Sequence, residues 1–140
     1  MSEPPTAGGW PQPWPRIWTS RYQNRDAIVA SGFLPVGITL GPPRFRLGYG
    51  LAARLRELAP AGYMFEMEDE GEFRRLYRAR LHRLTVTRAA ALLQEVSDAH
   101  GGRPLVLLCF EDVTQPGEWC HRRIFAGWWA EKTGEEVPEL

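Results

Sequence analysis

Both cysteines of the 140-residue chain, Cys109 and Cys120, fall within one stretch, LVLLCFEDVTQPGEWCHRRIFAGWW, and Glu111, Asp112, His121 and Arg122 stand beside them. These residue types can do chemistry together. A thiolate is a nucleophile and a metal ligand, an imidazole moves protons, a carboxylate orients the imidazole, and a guanidinium holds an anion. Four readings compete: a reactive thiol site, a metal site, a disulfide, and two plain core cysteines.

In the reactive reading, Cys120 or Cys109 is the thiol, His121 the acid or base, Glu111 its orienting carboxylate, and Arg122 with Arg44 the anion holders. Cys120 is the better thiolate, because a helix N-terminus and the neighbouring Arg122 and Arg123 favour negative charge there. A metal would use Cys109, Cys120 and His121 with Asp112, Glu111 or a distant histidine. Their spacing matches no standard zinc pattern, and adjacent residues on a helix point about 100° apart, so no metal is assigned. A disulfide needs close Cα approach and runs against the cytoplasmic location expected below. The plain alternative stays open, with Cys109 in a core strand and Cys120 half-buried at a helix start. The chain has no GxGxxG, GxxxxGK, HExxH or GxSxG pattern, and its arginine follows the cysteine at the wrong distance for a phosphatase loop.

Two further clusters could bind anions. Thr19, Ser20 and Arg21 close a first strand, and Gly41, Pro42, Pro43 and Arg44 follow a second, so hydroxyls, a glycine loop and two arginines meet at strand ends. Their alternative is a solvated loop with structural prolines. Several of the series Arg74, Arg75, Arg78, Arg80, Arg83 and Arg88 share one helical face, with tyrosines and histidine among them, a pattern that suits nucleic acid. The acidic run from Glu66 to Glu72 can neutralise it, which favours a solvated face.

The elements that must position these residues follow from periodicity. IWTSRY (17–22) and FLPVGITL (33–40) read as strands, with a loop or short helical turn between them. GPPRFRLGYG (41–50) is a loop, and LAARLRELAP reads as a short helix stopped by Pro60. EDEGEFRRLYRARLHRL has apolar residues at helical spacing and charges that suit the helix dipole. Thr87 is placed to cap RAAALLQEVSDAH, which Gly101 and Gly102 end. RPLVLLCFED is an unbroken apolar strand, hence buried on both faces. WCHRRIFAGWWAEKTG is an amphipathic helix, and VPEL reads as a last edge strand. The expected fold is a single α/β domain over 17–140, in two or three layers, with a small, mainly parallel sheet of three to four strands flanked by helices. Residues 1–16 hold five of the twelve prolines and suit an extended tail, with Trp10 and Trp14 laid against the body. Ligands of such sheets bind beyond the carboxyl ends of the strands, where Cys109 and Glu111 fall.

Composition bounds the rest. A chain of this length can bury a core without staples. Seventeen basic residues balance seventeen acidic ones, and Lys132 is the sole lysine. Zero net charge argues against bulk nucleic-acid binding but leaves room for a local site. Without an apolar run near 20 residues or a basic-then-apolar leader, the expectation is a cytoplasmic protein with no membrane partner.

LLCFED with WCHRRIFAGWW, taken with WTSRY, VGITLGPPRF and FRRLYRARLHRL, resembles the family called domain of unknown function 488, small bacterial and phage proteins of similar length. The resemblance covers about Ile17 to the end and leaves out the proline-rich tail. It implies that Cys109, Glu111, Cys120, His121 and Arg122, with Ser20, Arg21, Gly41, Pro43 and Arg44, form one site. It names no substrate and no cofactor. The functional expectation is a strand-end site for an anionic ligand, a nucleotide or nucleic-acid phosphate, with or without catalysis. Its alternatives are a noncatalytic nucleic-acid or protein binding module on the arginine helix, and a metal or redox thiol site.

Overall fold

Leu105–Cys109 forms a strand in which every residue is buried. A strand without a polar face needs cover on both sides, which places it inside a sheet. In the computed structural model, which describes residues 14–110 and 120–140, this strand is β4. The elements run β1 (Ile17–Arg21), α1 (Arg25–Ser31), β2 (Leu34–Gly37), β3 (Ala53–Arg54), α2 (Glu70–Leu84), α3 (Val86–Asp98), β4 and α4 (His121–Thr133). The sheet order is β1-β4-β2-β3 and every pairing is parallel. The last strand in sequence is therefore inserted between the first two, with Arg21 of β1 in register with Cys109 and Gly37 of β2 with Leu108. This is the α/β domain that the sequence predicts.

Alternation along β4 separates two cores. Leu105 and Leu107 join Ile17, Leu34 and Val36 in the larger one, with Tyr77, Leu93, Ile124, Phe125 and Trp129. Val106 and Leu108 join Tyr22 and Ile28 in a smaller cluster on the opposite face. Cys109 follows Leu107 by two residues, so the pleat turns it toward the side of the larger core, where α4 packs.

The helices carry their own boundaries. Asp69 caps α2 by accepting from the Glu72 amide at 3.2 Å, and Phe73, Tyr77 and Leu81 line its buried face. Thr85 ends α2 and starts α3: its hydroxyl accepts from the Arg88 amide at 3.2 Å, and its φ is 79°. The expected cap at Thr87 is thus displaced by two residues. Gly134, at φ 79°, closes α4 in the left-handed conformation.

Three expectations change. The helix over LAARLRELAP does not form. Ala52 donates to the Pro35 carbonyl and Leu55 to the Gly37 carbonyl, both at 2.8 Å, so the open edge of β2 captures this backbone as β3. Only the 3-10 turn Arg56–Leu58 follows. The second strand ends at Gly37 rather than Leu40, and a Cβ at Gly37 would stand 2.5 Å from the Tyr22 hydroxyl. VPEL contributes one parallel bridge, Thr19 to Glu139, with Leu140 donating to the Thr19 carbonyl at 2.7 Å. At the other end, Trp14 lies edge-on to Trp129 at 5.9 Å, as the tail was expected to do, while Trp10 is outside the described residues. Among the described residues no helix is long and apolar enough to cross a membrane.

Candidate functional site

The carboxyl end of β4 delivers Cys109, and the chain returns so that Cys120 stands directly before α4. Cys120 is the cap of that helix, with extended backbone angles of φ −143° and ψ 147°. The helical separation of adjacent side chains therefore does not apply to Cys120 and His121. Cys120 Sγ lies 3.7 Å from His121 Nδ1. Cys109 and Cys120 are joined as a disulfide across a Cα separation of 7.1 Å. The expected pair of reduced thiols is thus replaced by a bonded pair, because the strand end and the helix start converge on one point. Cys109 is fully buried and Cys120 is 3% exposed.

Among the described residues, His121 is oriented by a backbone carbonyl; Glu111, the orienting carboxylate expected from sequence, lies outside them. Its Nε2 lies 2.6 Å from the Ile38 oxygen. A carbonyl only accepts, so Nε2 carries the proton and Nδ1 turns a lone pair toward the Cys120 sulfur. Burial pushes the His121 pKa down to about 4; the Ile38 hydrogen bond opposes this and the Arg122 charge adds to it. The imidazole is neutral at pH 7. The Tyr77 ring packs edge-on against it at 5.5 Å, and the Tyr77 hydroxyl is held by the Leu58 carbonyl at 2.6 Å.

Arg122 is 1% exposed and reaches both ways. Its Nη1 donates to Cys109 Sγ at 3.1 Å, while Nε and Nη2 donate to the Glu139 carboxylate at 2.7 to 3.2 Å. Glu139 also accepts from the Thr19 hydroxyl at 2.6 Å. The expected neighbour of the better thiolate is thereby reassigned. The guanidinium favours negative charge on Cys109, and Arg123 instead donates to Thr19 Oγ1 at 2.8 Å and the Val137 carbonyl at 2.9 Å. Cys120 keeps the helix N-terminus.

The other described candidates, Ser20, Arg21, Gly41, Pro43 and Arg44, sit at the neighbouring strand ends. Ser20 accepts from Asn24 at 3.0 Å and donates to the Leu140 carbonyl at 3.4 Å, which makes it part of the sheet edge. Arg21 stands at the end of β1, opposite Cys109 in register. The Gly41 carbonyl accepts from Thr39 Oγ1 at 2.7 Å, and Pro43 is half-buried beside it. Gly41 and Arg44, with Thr39, Phe45, Phe65 and Phe110, border a separate depression of about 350 Å³. Glu111, Asp112 and Glu118 lie outside the described residues.

The arginine helix is largely matched by acids. Arg74 pairs with Glu70 at 2.9 Å, and Arg75 with Glu72 and Arg78 with Glu131 at 2.6 Å each. Arg80 donates to the Ala59 carbonyl at 2.7 Å. A shallow groove of about 450 Å³ remains between α2 and α4, bordered by Arg75, Arg78, His82, Arg83, Trp128 and Lys132.

Sequence reasoning missed Glu139, the Ile38 carbonyl and Tyr77. The signal for Glu139 was available in principle, since an arginine on the buried side of a helix start needs a counter-charge. The other two depend on which strand end meets the helix, which only the assembled sheet decides. The fold and site together define a parallel α/β domain with a buried Cys-Cys-His-Arg centre at the carboxyl end of its central strand. No family model matches the chain, and neither does any curated protein or solved structure.

Proposed function

We propose that the protein is a thiol–disulfide redox protein whose working pair is Cys109 and Cys120. The observation that carries this is the bonded sulfur pair, with Arg122 Nη1 on one sulfur and His121 Nδ1 beside the other. In the reduced form, the more exposed Cys120 attacks a substrate disulfide and expels one substrate thiolate, which takes a proton. A mixed disulfide remains. The Cys109 thiolate, favoured by Arg122, then attacks the Cys120 sulfur, closes the intramolecular bond and expels the second substrate thiolate. Two electrons pass from the dithiol to the substrate, which leaves as two thiols. His121, unprotonated at neutral pH, accepts the Cys120 S–H hydrogen bond and holds that thiol in place. In the expected cytoplasmic setting, disulfides are mostly transient and catalytic or sensing, which agrees with this reading.

The resemblance to the domain of unknown function 488 family supports treating the Cys109 and Cys120–Arg122 segments as one site, and we place the chain there on its ordered motifs. A second reading, binding of a nucleotide, is favoured by the depression that joins Arg44 to Phe45, Phe65 and Phe110, because arginine and exposed rings suit phosphate and a planar base.

The deciding measurement is a free-thiol count on native protein equilibrated in glutathione buffers of stepped potential. The redox reading expects a single two-electron transition between two thiols and none, lost in Cys120→Ser. Two thiols that persist in fully oxidising buffer would overturn it. For the nucleotide reading, Arg44→Ala should weaken binding of adenosine monophosphate and leave the thiol transition unchanged.

A further inference from the structure

The same three side chains are arranged as a ligand set. The Sγ atoms of Cys109 and Cys120 and a ring nitrogen of His121 lie within 4.8 Å of one another, and all three residues are buried. Zinc–sulfur bonds of about 2.3 Å hold two thiolates of a tetrahedron roughly 3.8 Å apart, so the bonded sulfurs must part on reduction before an ion enters between them. The 7.1 Å between the Cα atoms exceeds the range of about 4.4 to 6.8 Å that disulfides usually bridge. Once the pair is reduced, a shared ion can hold the two sulfurs across such a distance.

Histidine orientation points the same way. A metal-bound imidazole typically donates its second ring N–H to a carbonyl or carboxylate, which fixes the tautomer and the ring plane. Here the Ile38 carbonyl holds Nε2 at 2.6 Å, so Nδ1 is the free donor atom, and it faces Cys120. Charge also closes. Two thiolates balance a divalent ion, and Glu139 balances Arg122, whose N–H on Cys109 Sγ adds the outer-shell hydrogen bond that thiolate ligands take.

We infer that the reduced protein binds one zinc-like divalent ion through Cys109 Sγ, Cys120 Sγ and His121 Nδ1, and that oxidation of the pair to the disulfide expels it. Two cysteines and a histidine are the protein ligands of one type of catalytic zinc site, in which water or substrate takes the fourth position. Binding releases the thiol protons to solvent. Oxidation of the bound dithiolate by a substrate disulfide transfers two electrons, forms the Cys109–Cys120 bond and frees the ion. The ligand set rests on the redox reading only in needing the dithiol form.

The test uses the full chain, reduced with a phosphine under anaerobic conditions and titrated with cobalt(II) alone. The expected result is one equivalent per chain, with thiolate-to-cobalt charge-transfer bands and tetrahedral visible bands that zinc abolishes. The disulfide form should show none. His121→Gln should weaken binding by more than about 100-fold, beyond the 10- to 100-fold typical of losing an outer partner, while circular dichroism and the two-thiol count stay those of the parent. Cys120→Ser, at the rim of the core, should remove the charge-transfer intensity of one thiolate. Reduced, folded protein that develops no cobalt bands overturns the inference, and so does equal affinity in His121→Gln. If cobalt binds but glutathione never oxidises the pair, ligation stands while the expulsion step and the redox reading fall. If the two-electron transition occurs without cobalt binding, only the metal inference falls.

Discussion

Arg122 at the start of α4 and Arg75 on α2 are the same residue in opposite circumstances. Arg122 is almost wholly buried, spans Glu139 and the Cys109 sulfur, and cannot leave without stranding a carboxylate and a polar cluster. Arg75 has a side chain 66% exposed and, among the described residues, pairs with Glu72, three residues away on its own helix. In water such a pair gains little beyond what solvent offers each charge, whereas a buried charge has no second option. An arginine-rich composition therefore does not locate function. Burial separates Arg122 from the more conspicuous series on α2.

The contrast can be broken at its strongest point with Glu139→Gln, which leaves Arg122 buried without its counter-charge. The expected loss is about 3 kcal/mol, read as a fall of about 10 °C in Tm, together with faster alkylation of Cys109 in reduced protein as the sheet edge loosens. A Tm equal to the parent's would show that the buried pair is not what holds this end of the sheet. Arg123→Ala is intermediate. It removes the hydrogen bonds to Thr19 and Val137 at a cost of about 1.5 kcal/mol, measurable by urea denaturation with an unchanged m value. At the weak end, Arg75→Gln and Arg78→Gln should leave Tm within the scatter of replicate melts at moderate salt. A large drop in either would mean that the groove between α2 and α4 is structural after all.

The parts legible in the sequence were those whose pattern carries its own reason. Leu105–Cys109 is apolar at every position and so had to be central. The residues Phe73, Tyr77 and Leu81 repeat at helical spacing and bury together. The illegible parts depended on a partner far along the chain. Ala53 and Arg54 belong to a strand only because β2 offers an open edge beside them. Thr85 outcompetes Thr87 as a cap because the junction of α2 and α3 turns there, through a backbone conformation that favours glycine and that sequence did not flag. At the site, the cysteines, His121 and Arg122 were legible as chemistry, but their pairing was not. Treating Cys120 as a helical residue, when it is an extended cap, hid how close its sulfur comes to His121.

The position of β4 has a consequence for how the molecule is made. Parallel strands β1 and β2 lie near the start of the chain, yet neither pairs with the other; each waits for a strand from the far end to slide between them. Such non-local pairing is slow to form. During synthesis the N-terminal half exists with two unsatisfied strand edges until residue 109 has emerged. The cysteine, histidine and arginine centre, built on the end of β4 and the start of α4, is thus complete only once that strand has been inserted.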